Sequence, residues 1–290
     1  PHRVICSTVE HDAVRRCLLA LEHEGIAEIA WVPAHESGVV DLDAATEAMR
    51  RPAAAAALMH VNNETGVIQP LAAWAERARS ISPEILLLCD AVQAVARLPL
   101  ELDSADLLVI SAHKFHGPPG IGALIRRRPV ALEPLTHGGG QEGGLRAGTE
   151  STALIVGLGA ALRRALAEWE GVARILTSLT ETFLNELRRL GITHQVIGES
   201  APRAPGILGL TFPQIEAADL VVAADLEGLS LSAGSACHSG TPEPSHVLQA
   251  MGLSSEAVRH TIRVAFHRGQ SPDEAIEAAR RLADILRRGC

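Results

Sequence analysis

The first half of the chain alternates between short apolar runs and amphipathic stretches, and this alternation constrains the fold more than any other feature. Apolar runs with the length of β-strands lie at residues 4–8, 28–33, 56–61, 85–89, 106–110 and 122–125. Between several of them, residues 11–24 and 71–80 carry apolar side chains three and four positions apart, as an amphipathic helix does. The alternation predicts an α/β fold with a mainly parallel sheet.

The second half carries a different pattern, which predicts a second and smaller domain. Residues 149–190 are rich in Ala and Leu and predict a long helical region with a break near Gly171. Beyond it, residues 207–212 and 261–266 predict strands, and helices are predicted at residues 217–226, 245–251 and 272–288. We therefore expect a large domain over residues 1–170 and a small C-terminal α+β domain over residues 171–290.

The composition excludes several classes of protein. Of the 290 residues, 47% are hydrophobic, which is too many for a disordered chain. The net charge of −8 and the lack of any Lys or Arg run longer than three residues argue against a nucleic-acid partner. The longest apolar stretch, at residues 153–162, is too short to cross a bilayer, so no membrane association is expected.

The five cysteines are scattered, and none forms a Cys-x-x-Cys pair. This usage predicts a reducing compartment, the cytoplasm, rather than a disulfide framework. The amino terminus resembles neither a signal peptide nor a natural start with Met, so further residues are expected upstream. His113 and His116 have the spacing of a metal-binding pair, but no third ligand is spaced for it, so no metal is predicted.

Polar side chains follow four of the predicted strands, at the point where each strand ends. The four groups are Glu10 and His11; Asn62, Asn63 and Glu64; Asp90 and Gln93; and Ser111, His113 and Lys114. In open α/β sheets the ligand crevice lies at the carboxyl ends of the strands. One such group alone could be a turn or a helix cap, but four together predict a single binding site.

Lys114 is the one lysine among 26 basic residues. Arg can serve any salt bridge, but its guanidinium stays protonated and cannot form a Schiff base with an aldehyde. Coding bias with one surviving Lys would also explain the count, so composition alone leaves both interpretations open. With the carboxylate of Asp90 and the imidazole of His11, the amine of Lys114 would suit pyridoxal phosphate (PLP), whose pyridine nitrogen a carboxylate keeps protonated.

Six motifs resemble the cysteine desulfurases of the class-V aminotransferase fold, of the type that serves nitrogenase and iron–sulfur cluster assembly. They occur in the family's order at residues 8–11 (TVEH), 61–66 (VNNETG), 90–93 (DAVQ), 111–118 (SAHKFHGP), 138–149 (GGGQEGGLRAGT) and 234–240 (GSACHSG). The resemblance covers essentially the whole chain and implies a PLP-dependent transferase of fold type I. Selenocysteine lyase is a close relative that shares most of these motifs.

The resemblance implies a role for each residue around the cofactor ring. Lys114 would be the Schiff-base lysine, and His11 would stack on the ring and move protons. Asp90 would pair with the pyridinium nitrogen. Asn63 and Gln93 would lie by the ring and its 3-hydroxyl, and Asn63 would also contact the substrate.

The resemblance also assigns the phosphate and substrate contacts. Ser111 and His113 would help to hold the phosphate. Thr149 would reach the phosphate of a neighbouring subunit, which implies a homodimer. Arg263 would bind the substrate carboxylate through two parallel N–H donors.

Cys237 is the expected nucleophile. It lies in a run of small residues after a predicted strand, and such a loop can bring a thiol to a substrate and then carry sulfur outward. A free cysteine is more often a small buried side chain, but the Gly, Ser and Ala neighbours favour an exposed loop. Cys6, Cys17 and Cys89 lie in apolar strands or on a helix face and are expected in the core.

These roles imply an enzyme that converts L-cysteine to L-alanine, leaves sulfur on Cys237 as a persulfide, and passes it to an acceptor or iron–sulfur scaffold protein. The family carries about 80 further residues upstream, including a phosphate-binding loop that is not found in this sequence. The residues after Arg263 also depart from the family's Ser-x-Gly-Arg. Two alternatives stay open: a selenocysteine lyase, and a non-catalytic fragment that lacks the upstream loop.

Overall fold

The larger of two β-sheets is mainly parallel. The computed structural model describes residues 2–234 and 244–289. Six strands form this sheet in the order β2-β1-β3-β4-β5-β6, and all neighbours are parallel except β5 and β6. The strands are β1 His2–Ser7, β2 Ala27–Val32, β3 Ala55–Ala57, β4 Leu86–Asp90, β5 Leu107–Ser111 and β6 Gly122–Arg126. The predicted α/β fold with a mainly parallel sheet is confirmed.

Helices cover this sheet and close the first hydrophobic core. They are α1 Asp12–His23, α2 Leu42–Met49, α3 Leu71–Ile81 and the first half of α4 Thr152–Arg189, with short 3-10 helices at Leu102–Ser104, Ala112–Phe115 and Gln141–Gly144. Trp74 of α3 is 1% exposed and packs in one cluster with Ile5 of β1 and Ile110 of β5. Burial of such side chains contributes about 1.5–3 kcal/mol each, which makes this core the rigid support of the sheet.

The second sheet is antiparallel and has the order β7-β8-β10-β9. Its strands are β7 Gln195–Val196, β8 Ile207–Thr211, β9 Ser232–Ala233 and β10 Thr261–Ala265. The accompanying helices are α5 Ala217–Leu226, α6 His246–Ala250, α7 Ser255–Arg259 and α8 Pro272–Arg288. Phe183 of α4, Phe212 and Leu282 of α8 are buried in the second core, where the rings of Phe183 and Phe266 pack edge to face.

Helix α4 passes through Gly171 without interruption, so the predicted break there is wrong. Glycine in a helix interior costs only about 1 kcal/mol. Ala165 packs in the first core and Val172 and Leu176 in the second, and their burial outweighs that cost. In the part of the chain that the structure describes, neither α4 nor another helix is long and apolar enough to cross a membrane.

One strand and one helix in the first half of the chain differ from the sequence prediction. Strand β3 ends at Ala57, although the apolar run predicted a strand to residue 61. The backbone N–H groups of Leu58 and His60 still donate to the carbonyl oxygens of Leu88 and Asp90, so the chain stays buried beside β4 in an irregular path. Helix α2 was not predicted, although Asp41 caps it by accepting hydrogen bonds from the backbone N–H groups of residues 43 and 44.

Candidate active site

Four neighbouring parallel strands end at one edge of the larger sheet, and the predicted site residues lie there. His11 is the N-cap of α1, which follows β1, and Asn63 follows β3. Asp90 and Ser111 are the last residues of β4 and β5, and Lys114 lies in the 3-10 helix directly after β5. The structure therefore brings together the side chains that the sequence placed at strand ends.

Asp90 is a buried carboxylate beside two basic side chains. It is 9% exposed, and its Oδ1 accepts a hydrogen bond from the backbone N–H of Val92 at 2.9 Å. Burial raises the pKa of the Asp90 carboxyl, while the Val92 N–H and the charges of His11 and Lys114 act in the opposite direction. Lys114 and His11 lie after the two strands β5 and β1, at the same sheet edge as this carboxyl.

Asn62 builds the turn that presents Asn63. Its Oδ1 accepts hydrogen bonds from the N–H groups of Glu64 and Thr65, both at 2.9 Å, and from Thr65 Oγ1 at 3.1 Å. Its Nδ2 donates to the carbonyl oxygen of Val9 at 3.0 Å and so fixes the turn to the chain after β1. Asn62 itself is 1% exposed, so these bonds are shielded from water.

Asn63 carries a buried acceptor without a partner. Among the described residues nothing donates to its Oδ1. A buried carbonyl oxygen left without a donor costs about 1–3 kcal/mol, and such atoms are rare in folded proteins. The atom lies in the turn at the same sheet edge as Asp90 and Lys114, so a polar group bound there would satisfy it. A PLP ring with its hydroxyl and ring nitrogen fits this donor and acceptor set.

Arg263 of β10 joins the second sheet to the Asn63 turn. Its Nη1 donates to the carbonyl oxygen of Asn63, and its Nη2 donates to Ser232 Oγ of β9, each at 3.3 Å. The guanidinium is half-buried at this junction. Arg263 is thus held beside the site by groups from both sheets.

The remaining predicted contacts lie around this edge. Ser111 Oγ is 2.9 Å from His113 Nδ1, and partial burial together with the charge of Lys114 lowers the pKa of His113. Gln93 is 8% exposed, and its carbonyl oxygen accepts from Arg97 Nη1 at 3.4 Å. Thr149 is exposed at the end of the Gly-rich loop.

The cysteines divide into three groups. Cys6 and Cys89 are buried in strands, as expected. Cys17 is exposed, so its predicted place in the core is wrong. The residues of α1 that pack against the sheet are Val14 and Leu18, and α1 buries none of its residues fully. Cys237, the expected nucleophile, and Cys290 lie outside the described residues.

Sequence reasoning missed the part that Glu10 plays in the site. Glu10 Oε1 accepts from Ser7 Oγ and from the Met59 backbone N–H, both at 2.7 Å. Burial raises its pKa from the usual 4.5 to about 7, and the charge of Asp90 adds to the rise. The sequence identified Glu10 as a polar residue at the end of β1. Only the structure shows that its contact with Met59 links the chain after β1 to the chain after β3.

A family model described as aminotransferase class-V matches residues 2–277 of this chain. The cysteine desulfurase IscS of Dictyoglomus turgidum is 38% identical over 262 residues, which are 90% of this chain and 66% of that protein. The cysteine desulfurase IscS of Aeromonas salmonicida is 38% identical over 289 residues, which are 98% of this chain and 70% of that protein. A solved NifS-like protein superimposes with a TM-score of 0.90 at 30% identity and covers 99% of this chain and 75% of its own.

The α/β fold is that of the class-V aminotransferases, and the chain belongs to the aminotransferase class-V family. Within that family it is a homologue of the cysteine desulfurases, which confirms the resemblance drawn from the motifs. The chain spans about two thirds of the length of these curated relatives. In residues 2–234 and 244–289, no group of three or more His, Cys, Asp or Glu side chains could hold a metal ion.

Proposed function

We propose that this chain belongs to a PLP-dependent cysteine desulfurase that converts L-cysteine to L-alanine and leaves the sulfur on Cys237. The observation that carries the proposal is the placement of the one lysine, which directly follows β5 at the sheet edge where β4 ends in the buried carboxyl of Asp90. A lysine amine for the Schiff base and a carboxylate for the pyridine nitrogen form a pair that suits PLP. The relatives named cysteine desulfurase support the choice of substrate.

The residues of the site would divide the binding of the cofactor among them. Lys114 would hold the cofactor covalently and Asp90 would keep its pyridine nitrogen protonated. When bound, PLP would supply an electron sink that acidifies the α-hydrogen of an amino acid. His11 would stack on the ring, and the unpartnered Oδ1 of Asn63 together with Gln93 would lie by the ring and its 3-hydroxyl.

Ser111 and His113 would contribute to the phosphate site. Ser111 Oγ and His113 Nδ1 lie 2.9 Å apart, so both polar groups would face the same phosphate. The guanidinium of Arg263, fixed by Asn63 and Ser232, would bind the substrate carboxylate.

The chemical steps need a base and a nucleophile from this chain. Lys114 or His11 would remove the α-proton of L-cysteine. The thiolate of Cys237 would then attack the substrate sulfur, so that a sulfur–sulfur bond forms while the carbon–sulfur bond breaks. Reprotonation of the carbon releases L-alanine, and the persulfide on Cys237 is passed to an acceptor or iron–sulfur scaffold protein. The reaction balances in atoms and electrons, because L-cysteine and the thiol of Cys237 give L-alanine and the persulfide.

The enzyme would act as a cytoplasmic homodimer. Thr149 is exposed, and large apolar side chains near it in sequence are exposed too: Leu135 by 98%, Val156 by 65% and Ile155 by 42%. A second copy would bury these side chains, and the resemblance to the family implies that Thr149 then reaches the partner's phosphate site. The scattered cysteines favour a reducing compartment. We further propose that residues 1–170 form the cofactor-binding domain and residues 171–290 the domain that carries Cys237.

Turnover of defined substrates tests the function. Full-length protein supplied with PLP and L-cysteine should form L-alanine in an amount equal to the sum of persulfide and released sulfide. Cleavage of selenocysteine without any turnover of cysteine would instead identify a selenocysteine lyase. If neither cysteine nor selenocysteine is turned over, the result favours the non-catalytic alternative.

A further inference from the structure

The carboxyl of Glu10 lies buried between the ends of two neighbouring strands, β1 and β3. Glu10 is 1% exposed, and its Oε1 accepts hydrogen bonds from Ser7 Oγ and from the backbone N–H of Met59, each at 2.7 Å. Its Oε2 is also buried and has no hydrogen-bond partner among the described residues. Both hydrogen bonds of the carboxyl therefore use one oxygen, which links the last residue of β1 to the chain after β3.

The backbone around the next residue, His11, is held from the second half of the chain. The carbonyl oxygen of Glu10 belongs to the peptide unit that leads into His11, and it accepts from His246 Nε2 at 2.8 Å. The other ring nitrogen of His246, Nδ1, lies 3.8 Å from Oδ1 of Asp12. One side chain at the start of α6 therefore contacts the residues on both sides of His11.

The imidazole of His11 is tied to the backbone that follows it. His11 is the N-cap of α1, and its Nδ1 accepts a hydrogen bond from the backbone N–H of Ala13 at 3.1 Å. This bond restricts rotation of the side chain, so the place of the imidazole follows the backbone of residues 10–13. Glu10 is the residue of that segment whose side chain reaches into the sheet, where its carboxyl binds the chain after β3.

From these contacts we infer that Glu10 is a positioning residue, whose buried carboxyl fixes the His11 imidazole in the place where it stacks on the PLP ring. The inference rests on the proposed function, which gives His11 the stacking role. The strength of an aromatic stack depends on the separation and offset of the two rings, so a shift of the backbone after β1 weakens it without changing the imidazole. Glu10 acts through His11 and needs no contact of its own with the cofactor.

Binding of PLP to cofactor-free, full-length protein separates this role from a structural one. The dissociation constant is read from the visible absorbance of bound PLP. Glu10→Ala should raise it about three- to tenfold, the effect of losing one aromatic stack. In a His11→Ala background the same change should alter it by less than about twofold, because the stack is already lost. The visible circular dichroism at saturating PLP should move in Glu10→Ala towards that of His11→Ala.

Two further variants and a control sharpen the test. Glu10→Gln keeps an oxygen for both donors, so its dissociation constant should stay within about twofold of wild type. Ser7→Ala removes one of the two donors and should show a smaller loss that also depends on His11, so the test stands even if Glu10→Ala does not fold. Glu24→Ala is the matched control, because Glu24 is an exposed carboxyl at the other end of α1.

The outcomes distinguish the inference from the proposed function. Wild type that forms no visible PLP band would overturn the proposed function and this inference with it. If wild type binds PLP, and Glu10→Ala or Ser7→Ala weakens binding equally with and without His11, the positioning role alone is overturned. Dissociation constants of both variants that match that of Glu24→Ala would overturn it as well.

Discussion

Arg263 Nη1 lies 3.3 Å from the carbonyl oxygen of Asn63, although 200 residues separate them. One residue belongs to the antiparallel sheet and the other to the turn after β3, so the bond connects the two sheets at the proposed site. Arg263 makes a second contact, with Ser232 Oγ, through the other terminal nitrogen of its guanidinium. Only a side chain with several donors in one plane can make both contacts and still offer N–H groups to a carboxylate.

Arg263→Lys is therefore expected to weaken cysteine binding more than the chemical step. Lysine keeps the positive charge but cannot maintain both contacts and a bidentate bond to the substrate. The loss of one charged hydrogen bond, about 1.5–3 kcal/mol, corresponds to a rise in KM of roughly ten- to a hundredfold. Steady-state kinetics with L-cysteine measure it, with Arg259→Lys as a control that lies at the end of α7. An unchanged KM would contradict the assignment of Arg263 to the substrate carboxylate.

Glu10 makes the stability of the protein depend on pH. Its pKa is raised from 4.5 to about 7, so the folded protein holds a proton that the unfolded chain releases near pH 4.5. The free energy of unfolding should therefore fall as the pH rises from about 4.5 to about 7, by up to about 3 kcal/mol, and be unaffected by this group above that range.

Glu10→Gln removes this titration. The difference in unfolding free energy between pH 5 and pH 8 should then be smaller than in wild type by about 2–3 kcal/mol. Denaturant unfolding at both pH values measures it. Glu24→Gln serves as the control, because Glu24 is exposed at the C-cap of α1. Equal pH dependence in wild type and Glu10→Gln would show that Glu10 is already ionised at pH 5 in the folded protein.

Local patterns predicted most of the elements. Residues 272–288 form α8 as predicted, because Ser271 and Glu274 make a capping box, Pro272 begins the helix and Gly289 follows it. Residues 217–226 form α5 with the same bounds. The prediction was wrong where packing outweighs local preference, as at Gly171 in α4, and where an apolar run is buried without being a strand, as after Ala57.

The residues of the site could be predicted from the ends of the strands, but the hydrogen bonds that join distant parts of the chain around it could not. Parallel strands end at one edge, so the convergence of Asp90 and Lys114 could be predicted from their positions after two strands. The contact between Glu64 and Ser245 spans 181 residues and leaves no periodic pattern in the sequence. The roles of the individual site residues and the domain boundary after residue 170 stay predictions.

A shared active site predicts complementation between two inactive variants. Lys114→Ala lacks the amine in its own site, and Thr149→Val lacks the hydroxyl that would reach the partner's phosphate. A heterodimer of the two keeps one intact site. Random exchange at equal concentrations should restore about a quarter of wild-type desulfurase activity, measured as alanine formed. Heterodimers verified by mass but without activity would exclude a site built from both subunits.

Cys237→Ala should separate the two substrates of this family. The carbon–sulfur bond of cysteine gives a poor leaving group, so a thiolate must take the sulfur directly, whereas a selenol is more acidic and can leave unaided. The variant should keep the absorbance of bound PLP, lose sulfide release from cysteine and keep substantial activity on selenocysteine. Cys17→Ala, which changes an exposed cysteine on α1, should retain both activities. Sulfide release by Cys237→Ala at the wild-type rate would exclude Cys237 as the nucleophile.

The central claim is that Lys114 holds PLP, and one measurement tests it directly. Full-length protein is incubated with PLP, reduced with borohydride and digested, and the peptides are analysed by mass spectrometry. A reduced phosphopyridoxyl group should be found on Lys114, which is the one lysine of this sequence, and Lys114→Arg should carry no such adduct and no visible PLP band. An unmodified Lys114 in wild type, or an adduct and band that persist in Lys114→Arg, would contradict the account.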